Sequence, residues 1–383
     1  MALQNSQAYS SKQEGPVSTT SGIGTTSSTV GKTGRGEHDR FGTAELVIVL
    51  SHFDMGVIES IQTFPRGSRR APKVVIRSEK GNYLLKRRAL GKDDPFKVAF
   101  SHQVQLFLIA KQFPLPQLIG TRHDNNSMLQ WNGSIYELFE YIKGINFDHS
   151  VPLTIESGKA LGLFHKLLRG YVAEYEPSTV TYHAARSVEV SFNTIPRRLA
   201  KVDPDNASRS KQIKQIVDVL HASYDTAVAQ VTGLGFDDWP KQILHCDWHP
   251  GNMLFVDGRV AAVIDYDSAR IQPRIIDVAN GALQFSILAG ADNPDQWPDH
   301  IDLDRFKNFV KAYELVPDCT LSHTEIQAIP SLMIEALITE SAIPIANTGS
   351  FAGIQGYGFL RMVVRKANWM RQHADELVQA VER

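Results

Sequence analysis

The sequence predicts a bilobal α+β protein, with a small strand-rich N-terminal lobe and a larger helical C-terminal lobe. Three observations point there. Between residues 54 and 142, short β-branched and aromatic runs alternate with turn residues around a single helical stretch. After Gly144, apolar residues recur at helical spacing over long stretches. Within that helical half two short strands return, joined by Asp257-Gly258, a dipeptide suited to a tight hairpin. Composition allows such a body: of 383 residues, 43% are hydrophobic and 21% charged, enough for a sizeable core.

Residues 1–40 are crowded with Ser, Thr and Gly and nearly lack large apolar side chains, so burial cannot offset their ordering entropy and a disordered tail is expected. Gly31-Lys32-Thr33 in this tail ends a phosphate-binding loop signature. Thr26 stands where its first glycine belongs, and no apolar strand precedes it, so the signature fails.

Residues 41–142 form the expected N-terminal nucleotide-binding lobe. Strands are predicted over 57–63, 73–78 and 82–87, the last two joined by Glu79-Lys80-Gly81-Asn82. A helix is predicted over 95–113, with Val98, Val104, Phe107, Leu108 and Ala110 recurring on one side and Pro114 and Pro116 stopping it. Strands at 117–122 and 134–139 complete a small mixed sheet.

Residues 143–383 form the expected C-terminal lobe. Helices are predicted over 154–171, 212–231, 275–288 and 303–314, with one long helix from about 357 to 381 closing the chain; Glu335, Glu340 and Arg361 fall on helices near the end. Strands at 242–245, 253–256 and 260–264 sit among them. No internal repeat is present.

Charge and cysteine content restrict the function. Lys and Arg number 40 against 41 Asp and Glu, for a net charge of −1, which argues against a general nucleic-acid or membrane-surface binder. Two cysteines, Cys246 and Cys319, exclude a disulfide framework and a four-thiol zinc site. Apolar runs such as 46–50 fall far short of the ~20 residues that span a bilayer. The N-terminus lacks the charged head and apolar stretch of a signal peptide. A soluble, cytoplasmic protein is expected.

The chemistry concentrates in Ile243-Leu244-His245-Cys246-Asp247-Trp248-His249-Pro250-Gly251-Asn252-Met253-Leu254-Phe255, followed by Val263-Ile264-Asp265-Tyr266-Asp267. An apolar strand end delivers His245 and Asp247 into a loop that Pro250 and Gly251 force to turn. Asn252 leads into a strand, and the hairpin returns Asp265 close to Asn252. Oxygen ligands of this kind suit magnesium, above all magnesium carrying phosphates, and a separate carboxylate beside them can take a proton from a hydroxyl. Phosphoryl transfer also needs a cation at the phosphates, for which Lys86, ending Tyr83-Leu84-Leu85-Lys86, is the candidate.

The motif His-x-Asp-x-x-x-x-Asn, followed by an apolar-apolar-Asp-x-Asp run, resembles the aminoglycoside phosphotransferase and choline kinase group of protein-kinase-like enzymes. The resemblance spans most of residues 54–380. It implies Asp247 as catalytic base, Asn252 and Asp265 as magnesium ligands, Lys86 as the phosphate-binding lysine, and backbone near Glu140 and Ile142 as the adenine contact. It implies an ATP- and magnesium-dependent kinase that phosphorylates a hydroxyl of a small molecule such as a sugar, an amino alcohol, a homoserine-like compound or an aminoglycoside. No nucleic-acid or membrane partner is expected.

Departures from the protein-kinase pattern sharpen this reading. Asp265 is followed by Tyr266-Asp267 instead of Phe-Gly, no Ala-Pro-Glu follows, and the first hairpin, residues 64–70, carries one glycine instead of three. A helix over 95–113 contains no Asp or Glu to pair with Lys86, which leaves His102 or Gln103 as the group near the expected place. The alternatives are a protein serine/threonine kinase on the same fold and a nucleotide-binding pseudokinase, the missing glutamate being the latter's only support.

Other groups have plainer roles. His245 and His249 are four apart, but Pro250-Gly251 signals a loop and not the helix of a zinc motif, so bracing of Asp247 and the loop carbonyls is expected. Asp277 reads as a loop-bracing or helix-dipole carboxylate and His165 as a satisfied core residue. Of the tip Arg66, Gly67, Ser68, Arg69 and Arg70, the Gly67 and Ser68 amides are the better placed to touch phosphate.

Overall fold

The computed structural model describes residues 39–64, 70–177, 183–290 and 293–382. Residues 1–38 of the tail expected over 1–40, and Arg66, Gly67, Ser68 and Arg69, lie outside them. In chain order the elements begin with α1 (Thr43–Ser51), β1 (Ile58–Thr63), β2 (Lys73–Ser78), β3 (Gly81–Arg87), α2 (Pro95–Ala110), β4 (Leu118–Ile119), β5 (Leu129–Trp131) and β6 (Ser134–Glu140). There follow α3 (Val151–Leu168), α4 (Arg186–Val202), α5 (Asp205–Ser208), α6 (Ser210–Gly233), β7 (Lys241–Leu244), β8 (Met253–Val256), β9 (Arg259–Val263), β10 (Arg270–Pro273) and α7 (Ile275–Ser286). The chain closes with α8 (Leu303–Glu314), α9 (His323–Thr348), β11 (Ser350–Phe351), β12 (Ile354–Gln355), α10 (Gly356–Gln372) and α11 (Ala374–Glu382).

Two compact units divide the described residues, a smaller one of 39–92 and 120–138 and a larger one of 93–119 and 139–382. α2 therefore belongs to the larger unit, although its sequence precedes β4 to β6. The smaller unit is built on the sheet order β1-β2-β3-β6, with β5 on β6. β2 and β3 pair antiparallel, Lys73 facing Lys86 and Ser78 facing Gly81, and their inward alternation buries Val74, Ile76 and Leu85. α1 is fastened to this sheet through Glu45, which accepts from Arg87 Nη1 at 2.6 Å and from Tyr136 Oη at 2.8 Å.

In the larger unit the helix ends carry the caps their sequences supply. Asp94 accepts from the Phe96 and Lys97 amides ahead of Pro95, Asp302 from Arg305, and Ser322 forms a reciprocal capping pair with Glu325 before α9. α3 lies against α8 at Gly158, where an added Cβ would stand 2.3 Å from the Phe309 carbonyl oxygen. α9 is buried nearly all round, with α4, α6, α7, α10 and α11 packed on it. By length and composition α9 could cross a membrane, but 83% of its apolar window is inside the unit, so its apolarity is that of a core helix.

Several elements differ from expectation. The sequence expects helix at Glu335 and Glu340 but gives α9 no bounds, because Pro330 and Pro344 interrupt its pattern and an all-round apolar helix shows no period. α4 is hidden by Pro196, although Val188, Phe192, Ile195 and Leu199 keep helical spacing. The predicted closing helix is two helices, α10 and α11, parted at His373. The Asp257-Gly258 turn between β8 and β9 is as expected: both residues have positive φ, 48° and 74°.

Candidate active site

The loop of candidate residues starts where β7 ends. β7 pairs antiparallel with β10, Leu244 facing Arg270, and the next two backbone amides leave the ladder. Both are collected by one carboxylate at the start of α7: Asp277 Oδ2 accepts from His245 N and Oδ1 from Cys246 N, each at 2.8 Å. Asp277 also faces His165 Nε2 at 3.3 Å, and His165 Nδ1 meets Tyr313 Oη at 3.0 Å. The bracing role expected of Asp277 and the satisfied core role of His165 are thus one network. Cys246 takes a left-handed backbone, φ 56°, which a non-glycine residue keeps only where its surroundings dictate it. Burial pushes its thiol well above the ordinary value, which leaves it an inert neutral group.

Past this bend, Asp247 and Asn252 face each other. Asn252 Nδ2 donates to Asp247 Oδ2 and to its carbonyl oxygen, both at 3.0 Å. His249 Nδ1 accepts from Gly251 N at 3.0 Å, so its Nε2 carries the proton and stands 3.5 Å from Asp247 Oδ1. Burial, the largest single influence, pushes the Asp247 carboxyl upward, but the bond and charge of His249, with other nearby positive charge, together bring it below the usual carboxylate range.

Asp265 joins this pair through the hairpin. Ile264 N donates to Asn252 O at 2.9 Å, and His245 Nε2 donates to Ile264 O at 3.2 Å. Burial holds the His245 imidazole below its ordinary value, hence neutral, with the proton on the nitrogen that makes this bond. Asp265 then leaves β9 in left-handed backbone, φ 67° and ψ 68°, with an exposed side chain. His245 and His249 are therefore spent in separate hydrogen bonds, as the loop reading required.

The donor set fits magnesium. With Asn252 Nδ2 committed to Asp247, the amide leaves Oδ1 as its ligand atom, and Asp265 offers a carboxylate, both hard oxygen donors of the kind magnesium takes.

The remaining expected residues lie on other elements. Glu140 ends β6 in the larger unit, its N–H donating to Gln117 O at 2.8 Å, and Ile142 follows in the segment to Gly144. Gly144 is needed there because a Cβ would lie 3.0 Å from both Leu254 Cβ and the Phe255 carbonyl oxygen, where residue 145 bridges to β8. Lys86 sits on β3 of the smaller unit. Its carboxylate partner is Glu137 of β6, with Nζ 3.7 Å from Oε2. Of the two residues the sequence points to, His102 and Gln103, the Gln103 side-chain oxygen accepts from Glu174 N at 2.8 Å and Tyr175 N at 3.4 Å. Sequence reasoning misses Glu137, whose one signal is an acid in the middle of an apolar strand, Ile135-Tyr136-Glu137-Leu138.

Solved structures of kinases share the fold. A microcompartment-associated aminopropanol kinase aligns at 12% identity with a TM-score of 0.65, over 88% of this chain and 98% of that one. An amicoumacin kinase solved with AMP-PNP, Ca2+ and its antibiotic aligns at 10% identity with a TM-score of 0.60, over 88% and 94%. An aminoglycoside phosphotransferase from Alicyclobacillus acidocaldarius aligns at 16% identity with a TM-score of 0.57, over 87% and 95%. Among curated proteins none matches. The family model described as the phosphotransferase enzyme family matches residues 60–307, well over half of the chain. The chain belongs to that family. This phosphotransferase shares the protein-kinase-like fold of those enzymes. The protein-kinase and pseudokinase alternatives are not favoured, and the buried carboxylate at Lys86 takes away the one feature that supported the latter.

Proposed function

We propose that this phosphotransferase uses Asp247 to receive the proton of an acceptor hydroxyl as that hydroxyl's oxygen attacks the γ-phosphorus of ATP in line. The bond from the γ-phosphorus to the β,γ-bridging oxygen breaks, and ADP leaves with those electrons. The Asn252–Asp247 clasp is the observation that carries this reading: it orients the carboxylate while His249 keeps it ionised. An ionised carboxylate of low basicity accepts a proton late, once the phosphoryl group has largely transferred, so it acts first by orienting the hydroxyl.

Asn252 Oδ1 and the Asp265 carboxylate are the groups that would hold magnesium, which when bound neutralises charge on the phosphate oxygens. Lys86 supplies a cation for the nucleotide phosphates, and the Gly67 and Ser68 amides are further candidates for them. The backbone at Glu140 and Ile142 contacts the adenine. The acceptor is a sugar, amino alcohol, homoserine-like compound or aminoglycoside, and the cytoplasm is the site of action.

A panel of those acceptors, scored by acceptor-dependent ADP release in the presence of magnesium, tests the reading. At least one class should raise ADP release well above the hydrolysis background. Radiolabel from γ-labelled ATP that enters only macromolecules of a cell lysate, with none in the small-molecule fraction, would overturn it.

A further inference from the structure

A phosphate-gripping lysine is useful only if its ammonium is kept aimed, because a four-carbon stem has many rotamers and an untethered one spends little time in the right place. α2 offers no carboxylate to aim it, since its sixteen residues contain neither Asp nor Glu. The sheet offers a group instead. Arg88, just past β3, donates its backbone N–H to Ile135 O at 2.9 Å. Two residues back along β3 and two forward along β6 from that bond, Lys86 and Glu137 come together. Glu137 is fully buried; its Oε1 accepts from Arg88 Nη2 at 2.8 Å, and its Oε2 faces Lys86 Nζ at 3.7 Å. Arg88 is itself anchored, its Nη1 donating to Lys92 O at 3.2 Å. The arginine therefore fixes the carboxylate in one orientation, and the carboxylate presents its second oxygen to the lysine.

We propose that Glu137 is the positioning residue for Lys86, held in turn by Arg88, and that a neighbouring strand thereby supplies what a helix glutamate supplies in other kinases. A carboxylate on a helix is lost to the lysine when the helix swings. One on a hydrogen-bonded neighbouring strand stays in register with it, so Lys86 is set before nucleotide arrives and no helix movement is needed to assemble the pair. This inference rests on the reading of Lys86 as the phosphate-binding lysine, and the experiment separates the two.

Lys86→Met, Glu137→Gln, their combination, and Arg88→Gln/Glu137→Gln are compared with the parent in the full chain. The last variant removes both buried charges together, so neither is stranded if Glu137→Gln alone folds poorly. Affinities are measured for a non-hydrolysable ATP analogue with magnesium and, separately, for adenosine, which lacks the phosphates. Lys86→Met, Glu137→Gln and the charge-free pair should each weaken the analogue about tenfold or more and leave adenosine within twofold. Adding Glu137→Gln to Lys86→Met should cost less than a further twofold, because a positioning residue has nothing left to position. Glu137→Asp, which keeps the charge, should recover part of the loss. The positioning role is overturned if Glu137→Gln and the charge-free pair keep parental analogue affinity while Lys86→Met loses it. It is also overturned if the Glu137→Gln loss persists undiminished without Lys86, or falls equally on adenosine. Undisturbed analogue affinity in Lys86→Met would instead remove the lysine assignment, and the inference with it.

Discussion

The Asn252 side-chain amide reaches the Asp247 carboxylate at 3.0 Å, tying the proposed metal-binding residue to the proposed base. The same Nδ2 also holds the Asp247 carbonyl at 3.0 Å, so one amide sets both the loop backbone and the carboxylate of its partner.

Asp247→Ala should therefore separate binding from turnover. A positioned base contributes typically ~10²–10⁴-fold, and turnover should fall by at least ~10² while ATP affinity stays nearly parental. Steady-state kinetics with an identified acceptor and calorimetry with ATP measure the two; unchanged turnover would rule out Asp247 as the base.

Asp265→Asn should act on the metal. Replacing a carboxylate ligand by an amide lowers the attraction for a divalent cation, so the magnesium concentration for half-maximal activity should rise about tenfold. A magnesium titration that does not move removes Asp265 from the ligand set.

His249→Ala should move the acid side of the pH profile. The base works deprotonated, so in the parent its lowered pKa should extend activity into the acid range. Without the His249 bond, burial dominates and raises the Asp247 pKa, so activity should be lost at higher pH as pH falls. The linked stability has the same sign. A depressed carboxylate stabilises the fold above its unfolded pKa, and that contribution disappears as pH falls through the folded one. An acid limb at the parental position would show that His249 does not tune Asp247.

Asp277→Ala should loosen the loop itself. It leaves the buried His245 and Cys246 amides without their acceptor, at about 1–3 kcal/mol for each unsatisfied group. Urea unfolding should show the loss, and turnover should fall with it because the bend at Cys246 depends on the same bonds.

Gly158→Ala tests the packing of α3 on α8. An alanine in a helix interior ordinarily stabilises by roughly 0.5–1 kcal/mol. Here the new Cβ would lie 2.3 Å from the Phe309 carbonyl oxygen, so the helices must part and a net loss of about 1–3 kcal/mol is expected in urea unfolding.

Legibility in the sequence followed the reach of each interaction. Strands β2, β3, β8 and β9 and the Asp257-Gly258 turn were readable because alternation and turn chemistry act over a few residues. The pairing of Asp247 with Asn252 was readable because a bent loop of a few residues joins them, and one short hairpin returns the chain to Asn252 at Ile264. The extent of α9 was not, since burial on every side erases the period by which an amphipathic helix is recognised, and Pro330 and Pro344 read as stops.

By itself the sequence determined the strand-then-helix order and the oxygen-bearing side chains that the loop from His245 to Asn252 carries. Only the tertiary structure decided that α2 packs in the larger unit and that Asp277 gathers two loop amides. It alone decided that the carboxylate beside Lys86 is Glu137, 51 positions along the chain. The physical reason is the same in each case: strand pairing and helix packing choose partners far apart in sequence by which buried polar groups they satisfy, and no local pattern records that choice.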